Sequence, residues 1–227
     1  MKNGTQPIFC GESTQPMFGG ENTQPILGGA RTQLILDAAG VIVSNLSPGF
    51  WREISRISEI PYGQWTAFFK KEIRDDLWTG ATGEDDFLHW MNRRAPGITM
   101  DDLRDLIRKY VKPLPAFKEI PAWSRLADIH LLSNHRKEWV TPHIEPIIPY
   151  LKSVTISSAV GYCKPDPRIY KLVHDRLDPS QKIVYVDDQL KNVKPASNLG
   201  WITVVADDEG KWIGEVTTFL ETNETTG

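Results

Sequence analysis

The stretch TQLILDAAGVIV, residues 32–43, decides the fold of this 227-residue chain. It begins with a run of apolar residues, and a single carboxylate, Asp37, follows that run. A carboxylate at the end of a buried strand is costly unless it has a charged or hydrogen-bonding partner. We therefore interpret residues 34–37 as a buried strand that brings Asp37 to a functional site. Two residues later the chain carries an alanine, Ala39, rather than a second acid.

The composition is that of an ordinary globular protein. Hydrophobic residues make up 40% of the chain and charged residues 24%, which supports a buried core. The 26 basic and 29 acidic side chains form no block of like charge, so we expect neither a nucleic-acid nor a membrane partner. The two cysteines, Cys10 and Cys163, have no metal-binding spacing and predict a reducing, cytoplasmic setting. We also expect no transmembrane helix or secretory signal, since no apolar run is long enough.

A nine-residue repeat precedes the first strand. Its four copies begin at Thr5, Thr14, Thr23 and Thr32. The first three copies place proline where the fourth has Leu34, and proline removes a hydrogen-bond donor from a sheet. They also offer too little apolar surface to fold alone. We therefore predict a repetitive, disordered N-terminal extension over residues 1–30, with a partner-binding arm or a small solenoid as the alternative.

Short apolar runs alternate with helical stretches in the rest of the chain. The candidate strands are rich in Ile, Leu and Val, as strands covered on both faces tend to be. They are residues 34–37, 129–134, 154–158, 183–188 and 202–206. Between the first two strands, the apolar residues recur at helical spacing, and Thr82 and Thr99 have the pattern of helix N-termini. The sequence predicts an α/β fold, a Rossmann-like parallel sheet with an α-helical cap inserted after the first strand.

This pattern also predicts the domain organisation. The α/β core comprises residues 31–43 and 119–220, the helical cap comprises residues 44–118, and residues 221–227 form a flexible tail. The tryptophans are interpreted as packing residues, with Trp51 and Trp78 expected near a substrate entrance.

Polar residues follow four of the predicted strands, where the loops of an open parallel sheet line its ligand crevice. Asp37 closes the first strand, Ser133 and Asn134 close the second, and Asp187 and Asp188 close the fourth, while Lys164 lies in the loop after the third. An anionic nucleophile, countercharges and hydrogen-bond donors are what a phosphoryl group requires. His130 and His135, which flank the second set, are interpreted as surface or packing residues.

In this order the residues resemble the motifs of the haloacid dehalogenase (HAD) superfamily, whose commonest members are magnesium-dependent phosphatases. LILDAAGVIV resembles the first motif, LLSN the second, the Lys164 loop the third and VYVDDQLKNV the fourth. WTGATGEDDFLHW, residues 78–90, is similar to a cap segment of the subgroup that includes sugar-phosphate phosphatases and the phosphatase domain of soluble epoxide hydrolases. The resemblance covers about residues 32–206.

The resemblance implies a Mg²⁺-dependent hydrolase of a small phosphorylated metabolite, in which Asp37 attacks phosphorus and forms an aspartyl-phosphate. The implied metal ligands are Asp37, the carbonyl of Ala39, Asp187 and Asp188. The implied phosphate-binding residues are Ser133, Asn134 and Lys164. Asp188 has a second interpretation, as the cap of a helix that starts near Leu190.

Ala39 departs from the pattern of most phosphatases in the superfamily, which carry there an aspartate that protonates the leaving group. Three interpretations stay open. In the first, the protein is a phosphatase whose substrate has an easier leaving group, or whose missing proton comes from an acid of the cap or of the substrate. Alternatively the protein is a dehalogenase, which needs no such proton, or a phosphonate hydrolase, which also has alanine here and requires a cap lysine such as Lys70 or Lys71. The third interpretation is a catalytically weak binding or regulatory module.

Overall fold

The structure, a computed structural model, describes residues 8–9 and 31–224. These residues form one parallel β-sheet with helices on both faces and a group of helices inserted after its second strand. The predicted α/β fold with a helical cap is therefore confirmed. The predicted N-terminal extension, residues 1–30, lies outside the described residues except for Ile8–Phe9, so its disorder stays a prediction.

The sheet contains six strands in the described residues, and all neighbouring strands are parallel. In chain order they are β1 (Ile8–Phe9), β2 (Thr32–Leu36), β3 (Ala127–Ser133), β4 (Leu151–Ile156), β5 (Ile183–Asp187) and β6 (Ile202–Val205). Across the sheet their order is β1-β4-β3-β2-β5-β6. Strand β1 belongs to the first copy of the nine-residue repeat and pairs with β4 at the edge. The other five strands are the five predicted ones, with ends shifted by up to three residues.

Helices make up most of the remaining described chain. They are α1 (Gly49–Ser58), α2 (Tyr62–Glu72), α3 (Arg74–Thr79), α4 (Glu84–Arg94), α5 (Met100–Tyr110), α6 (Ile120–Leu126), α7 (Lys137–Ile144), α8 (Ser157–Val160), α9 (Pro167–His174), α10 (Leu190–Asn198) and α11 (Lys211–Glu224). Two 3₁₀ segments, Pro115–Lys118 and Glu145–Tyr150, complete the set.

Strand β2 is buried along its whole length, as an apolar central strand should be. Successive side chains point to opposite faces of a sheet. Leu34 and Leu36 accordingly pack in the larger core, which includes Trp123 of α6. Ile35 packs in a second core on the other face, which includes Tyr170 of α9. The sheet is thus covered on both faces, which leaves its edges and strand ends as the places where polar residues can act.

The order of the strands reverses at β2. Strands β3 and β4 follow on one side of it, and β5 and β6 on the other. In open α/β sheets such a reversal leaves a crevice at the carboxyl ends of the two central strands, and ligands bind there. The crevice of this protein therefore lies between the ends of β2 and β5.

Helices α1 to α5 form the cap, which has an aromatic-rich core of its own. The chain enters and leaves the cap through two neighbouring segments. The Ser44 amide donates to the Lys112 carbonyl at 2.7 Å, and the Leu114 amide donates to the Ile42 carbonyl at 2.9 Å. Trp139, from α7 of the α/β core, packs into the core of the cap. The cap therefore rests directly on the carboxyl side of the sheet.

The two predicted helix N-termini of the cap have different outcomes. Thr99 caps α5 in a reciprocal capping box, because its side chain accepts from the Asp102 amide and its amide donates to the Asp102 carboxylate. The N-terminus predicted at Thr82 is wrong by one residue, since Gly83 is the N-cap of α4. The Thr82 carbonyl instead accepts a hydrogen bond of 2.6 Å from Arg136 of the core.

Helix α11 closes the described chain. It runs to Glu224 and so includes the first four residues of the predicted flexible tail, 221–227. Its Thr217 accepts a hydrogen bond of 2.9 Å from the indole of Trp123. None of the described helices is long and apolar enough to cross a membrane.

A buried histidine lies in the middle of the sheet. His130 of β3 is 6% exposed, and its Nε2 lies 3.0 Å from Gln33 Oε1, which can only accept. Its Nδ1 therefore carries no proton and accepts from Ser153 Oγ at 2.8 Å. Burial lowers the pKa of His130 from 6.5 to about 4. The predicted packing role of His130 is confirmed.

We expect this histidine to make the protein sensitive to acid. The unfolded chain takes up the proton near pH 6.5 and the folded chain near pH 4. The stabilisation is therefore complete above pH 6.5 and is lost as pH falls towards 4, by roughly 3 kcal/mol at most. Urea unfolding of wild type and of His130→Asn across this range measures the difference. His89→Asn, at an exposed position, is the control. Equal pH slopes for wild type and His130→Asn would contradict the expectation.

Candidate active site

The crevice between β2 and β5 brings two of the predicted acids together. Leu36 pairs with Val186 across these strands, so the next residues, Asp37 and Asp187, lie side by side at the carboxyl ends. Lys164 from the loop after α8 reaches both of them. Its Nζ lies 2.9 Å from Asp37 Oδ2 and 2.6 Å from Asp187 Oδ2, and its side chain has no exposed surface. Three residues predicted from separate motifs thus form one buried ionic group.

Asp187 is held by donors on both carboxylate oxygens. Oδ1 accepts from the Gln189 amide at 2.8 Å and from Asn192 Nδ2 at 3.0 Å. Oδ2 accepts from Lys164 and from the hydroxyl of Tyr185. With four donor groups already bound, direct contact of Asp187 with a metal would have to displace one of them. Asn192 therefore positions Asp187.

Asp188 points towards the first motif rather than along α10. Its Oδ2 accepts from Asn45 Nδ2 at 3.1 Å. The N-cap of α10 is Gln189, and no side chain caps that helix. The interpretation of Asp188 as a helix cap is therefore wrong. Asp188 remains available beside Asp37 and Asp187 as a third carboxylate.

These three acids form a group that can hold a metal ion, since one carboxylate oxygen from each lies within 4.8 Å of the others. Three carboxylates against the single ammonium of Lys164 leave two negative charges when all are ionised. Hard oxygen ligands and an excess charge of this size suit a divalent cation such as Mg²⁺ or Ca²⁺. The chemistry of the donor set therefore fits the predicted metal.

Burial controls the protonation of this group. It raises the pKa of Asp37 to about 7, with the Lys164 ammonium opposing the rise and the Asp187 carboxylate adding to it. Burial also raises the pKa of Asp188. For Lys164 burial alone would lower the pKa, but the carboxylates of Asp37 and Asp187 outweigh it and raise the pKa. The ammonium of Lys164 is therefore charged, and further positive charge beside Asp37 would favour its carboxylate form.

Asn134 fixes the position of the Lys164 loop. Its Nδ2 donates to the Lys164 carbonyl at 2.8 Å, and its Oδ1 accepts from the Lys164 amide at 2.7 Å. Both ends of the amide are thus used on the backbone of one residue. This geometry assigns Asn134 a positioning contact, while its predicted contact with phosphate stays a prediction.

Ser133 ends β3, beside the first motif. Its hydroxyl is buried, and it has no hydrogen-bond partner among the described residues. Buried polar groups normally have a hydrogen-bond partner, because a buried polar group without one costs about 1–3 kcal/mol of stability. A ligand oxygen is one group that would satisfy this hydroxyl, which fits the predicted contact of Ser133 with phosphate.

A cavity of about 290 Å³ lies between the cap and this site. Ala39 and Asn134 line it from the core, and Trp51 and Trp78 line it from the cap. The two tryptophans that were expected near a substrate entrance therefore line this cavity. A second, more polar cleft runs past Lys164 and shares Trp78 and Asn134 with the cavity.

His135 packs against the aromatic wall of the cavity. It is 2% exposed, its ring centroid lies 5.9 Å from that of Trp78, and its Nδ1 donates to the Arg136 carbonyl at 3.1 Å. Burial lowers its pKa to about 4, so the ring is neutral near pH 7. The predicted packing role of His135 is confirmed.

Three further residues of the site were not predicted. Tyr185 could have been found, because residues two apart on a strand share a face and Tyr185 stands two before Asp187. Asn45 gave no signal, since its bond to Asp188 joins segments 143 residues apart. Gly40 has φ +88°, and a Cβ on it would lie 2.4 Å from Asp188 Oδ2. A glycine at position 40 therefore allows both the positive φ of the turn and the close approach of Asp188.

No family model matches the chain. Among curated proteins, the chain is similar to bifunctional epoxide hydrolase 2 of Rattus norvegicus, with 38% identity over 61 residues. This match covers 26% of the chain and 11% of the rat protein, so the chain matches only a small part of that relative's length.

The fold is similar to those of solved HAD-family enzymes. A HAD family enzyme from Bacteroides thetaiotaomicron matches with a TM-score of 0.68 and 20% identity, covering 78% of this chain and 94% of that one. It has been solved with magnesium and inorganic phosphate, also as a variant with one aspartate replaced by alanine. The L-2-haloacid dehalogenase of Xanthobacter autotrophicus matches with a TM-score of 0.55 and 15% identity, covering 78% and 79%. The fold of this chain is therefore the fold of these HAD-family enzymes.

Gly40 offers a test of how closely the site is packed. We expect Gly40→Ala to lower the free energy of unfolding by about 1–3 kcal/mol, because the new methyl group meets Asp188 and the positive φ is strained. It should also weaken binding of a divalent cation, since Asp188 must move. Thermal unfolding and calorimetric titration with Mg²⁺ measure the two effects.

The matched control is Gly63→Ala in α2, where a Cβ meets nothing within 4 Å. That change should stabilise the protein slightly, by roughly 0.5–1 kcal/mol, through the better helix propensity of alanine. An unaltered cation affinity in Gly40→Ala would show that Asp188 is not needed at the metal site.

Proposed function

We propose that this protein is a Mg²⁺-dependent hydrolase that releases phosphate from a small phosphorylated metabolite, with Asp37 as the nucleophile. The supporting observation is the contact of one buried ammonium, Lys164, with both Asp37 and Asp187 in the crevice between β2 and β5. A structural ion pair would need only one acid. The second and third acids are explained by a cation and a phosphoryl group that enter between them.

In the proposed reaction, an oxygen of Asp37 attacks phosphorus and the ester oxygen leaves, which produces an aspartyl-phosphate. The ammonium of Lys164 stabilises the negative charge of the phosphoryl oxygens, and the Ser133 hydroxyl donates a hydrogen bond to one of them. Water then attacks the aspartyl-phosphate, which frees Asp37 and inorganic phosphate. Asn134 and Asn192 act through their neighbours by holding Lys164 and Asp187 in place.

Asp37, Asp187, Asp188 and the carbonyl of Ala39 would hold the Mg²⁺. When bound, the ion supplies positive charge to a site that otherwise has two negative charges in excess. A similar HAD family enzyme has been solved with magnesium and inorganic phosphate, which supports Mg²⁺ as the cation of this site.

Replacement of the nucleophile should abolish the activity. With Mg²⁺ present, Asp37→Asn should release phosphate from a metabolite panel at least about 10³-fold more slowly, because the amide cannot form the intermediate. Asp105→Asn, which removes an exposed acid on α5, is the isosteric control and should keep wild-type turnover. Phosphate release by Asp37→Asn at the wild-type rate would contradict the assignment. Saturable phosphate binding by the wild type without any turnover would favour the binding module.

Ala39 determines what happens to the leaving group. Since no side chain at this position delivers a proton, we expect Ala39→Asp to raise turnover of alkyl phosphates by roughly tenfold or more. Ala39→Asn has a similar shape but no proton to give, and it should leave the rate unchanged. Steady-state kinetics of both variants, in protein shown to be folded, separate an effect of proton delivery from an effect of side-chain shape. Equal rates for the aspartate and asparagine variants would mean that proton delivery is not limiting.

A phosphonate hydrolase is the second candidate, and one observation favours it. Lys70 of α2 lines the same cavity as Ala39, and it makes no ion pair with any described acid. A Schiff base with a carbonyl of the substrate requires a lysine in the substrate cavity, and Lys70 meets that requirement by lining it. Its neighbour Lys71 does not line the cavity.

Borohydride trapping distinguishes this candidate from the phosphatase. Reduction in the presence of a β-carbonyl phosphonate should attach the substrate carbon skeleton to Lys70, and mass spectrometry of the digested protein would locate it. Lys70→Arg should abolish the adduct, whereas Lys71→Arg should keep it. The phosphatase proposal predicts no adduct in either protein.

A further inference from the structure

The cavity between the cap and the core has mainly aromatic walls. Its aromatic lining residues are Phe50, Trp51, Phe69, Trp78, Phe87 and Trp139. Ligand clefts in proteins usually span roughly 300–1,000 Å³. The volume here, about 290 Å³, is at the lower end of that range. The cavity therefore accommodates a compact group of one or two rings rather than a long chain.

The aromatic wall is already rigid. Its rings pack on one another, with centroid distances of 4.9 Å for Trp51 and Phe69, 6.0 Å for Phe69 and Trp78, and 5.9 Å for Trp78 and Trp139. The last two pairs are close to perpendicular, the arrangement in which ring edges meet ring faces. A flat apolar group entering this space therefore meets a preformed surface.

Most polar side chains of the cavity already have partners. The Thr66 hydroxyl donates to helix carbonyls, Asn45 donates to Asp188, Asn134 binds the Lys164 backbone, and His135 Nδ1 donates to the Arg136 carbonyl. Beyond Ser47, Lys70 and Arg74, which also line the cavity, hydroxyl groups of a sugar would find few partners here, at a cost of about 1–3 kcal/mol for each one left unpaired. The lining thus disfavours a polyol and favours an apolar group.

Ala39 connects the cavity to the reacting carboxylate. It stands two residues after Asp37, and it belongs to the cavity lining. An aspartate at this position would place a charge in an otherwise apolar wall, which is costly without a partner. The alanine that removes the usual acid therefore also extends the apolar surface towards Asp37.

We propose that the substrate is the phosphate monoester of a compact, apolar, ring-bearing alcohol, whose ring occupies the aromatic cavity while its phosphate meets Asp37 and Lys164. This inference rests on the proposed phosphatase function and narrows its substrate class. Arg74 lines both the cavity and the polar cleft beside Lys164, so it marks where the ring and the phosphate of such a substrate meet.

Binding of two phosphonates that cannot be hydrolysed tests the inference without any need for turnover. In calorimetric titrations with Mg²⁺ present, benzylphosphonate should bind at least about tenfold more tightly than methylphosphonate. Benzylphosphonate has a ring that enters the cavity, whereas methylphosphonate has none. Trp78→Ala should reduce the ratio of the two affinities to about threefold or less. Trp78→Phe, which keeps an aromatic ring at this half-buried position, should retain most of the difference.

The outcomes separate the inference from the function on which it rests. If methylphosphonate binds and benzylphosphonate binds no more tightly, the substrate class is wrong and the phosphatase site stands. If neither compound binds, the phosphatase proposal fails and the inference fails with it.

Turnover provides a second comparison with matched leaving groups, since benzyl phosphate and glucose 6-phosphate are both esters of primary alcohols. The inference predicts a kcat/KM at least about tenfold higher for benzyl phosphate. A preference for glucose 6-phosphate would overturn it.

Discussion

The buried ammonium of Lys164, held between the carboxylates of Asp37 and Asp187, is the interaction on which the site depends. A charge in a protein interior is tolerated only with partners of opposite sign and with its hydrogen bonds made. The surrounding structure meets that demand. Asn134 binds the backbone of Lys164, and Asn192 and Tyr185 bind Asp187. The parallel sheet supplies the remaining condition, because the reversal of strand order at β2 places two acid-bearing strand ends next to each other.

The α/β core and the cap divide the chemistry between them. The core contributes charges, which lie at strand ends and in the loops that follow. The cap contributes aromatic surface, together with the side chains of Lys70 and Arg74, which line the same cavity. Ala39 lies where the two meet. Its small apolar side chain suits the cavity, and its lack of an acidic proton removes the help that most phosphatases of this superfamily give to the leaving group.

The sheet and the charged residues were predictable because their signals are local. Each core strand is a short apolar run. Asp37 and Asp187 stand at the ends of such runs, and Lys164 lies in the loop between α8 and α9. The residues that support them were harder to predict. The bond between Asn45 and Asp188 depends on the fold bringing distant segments together. The start of α4 was misplaced because Thr82 faces Arg136 of the core, a tertiary contact that helix propensity does not contain. The lining of the cavity was equally hard to predict, since its aromatic residues come from five helices and have no common spacing in the sequence.

The central claim is that Asp37 shares a divalent cation with the acids at the end of β5. Crystals grown with Mn²⁺ in place of Mg²⁺ would test it most directly, because manganese is located by its anomalous scattering. We expect an anomalous peak in the crevice between β2 and β5, in contact with the carboxylate of Asp37 and at least one of Asp187 and Asp188. Saturating Mn²⁺ with no peak in the crevice, or a peak bound only by other residues, would contradict it.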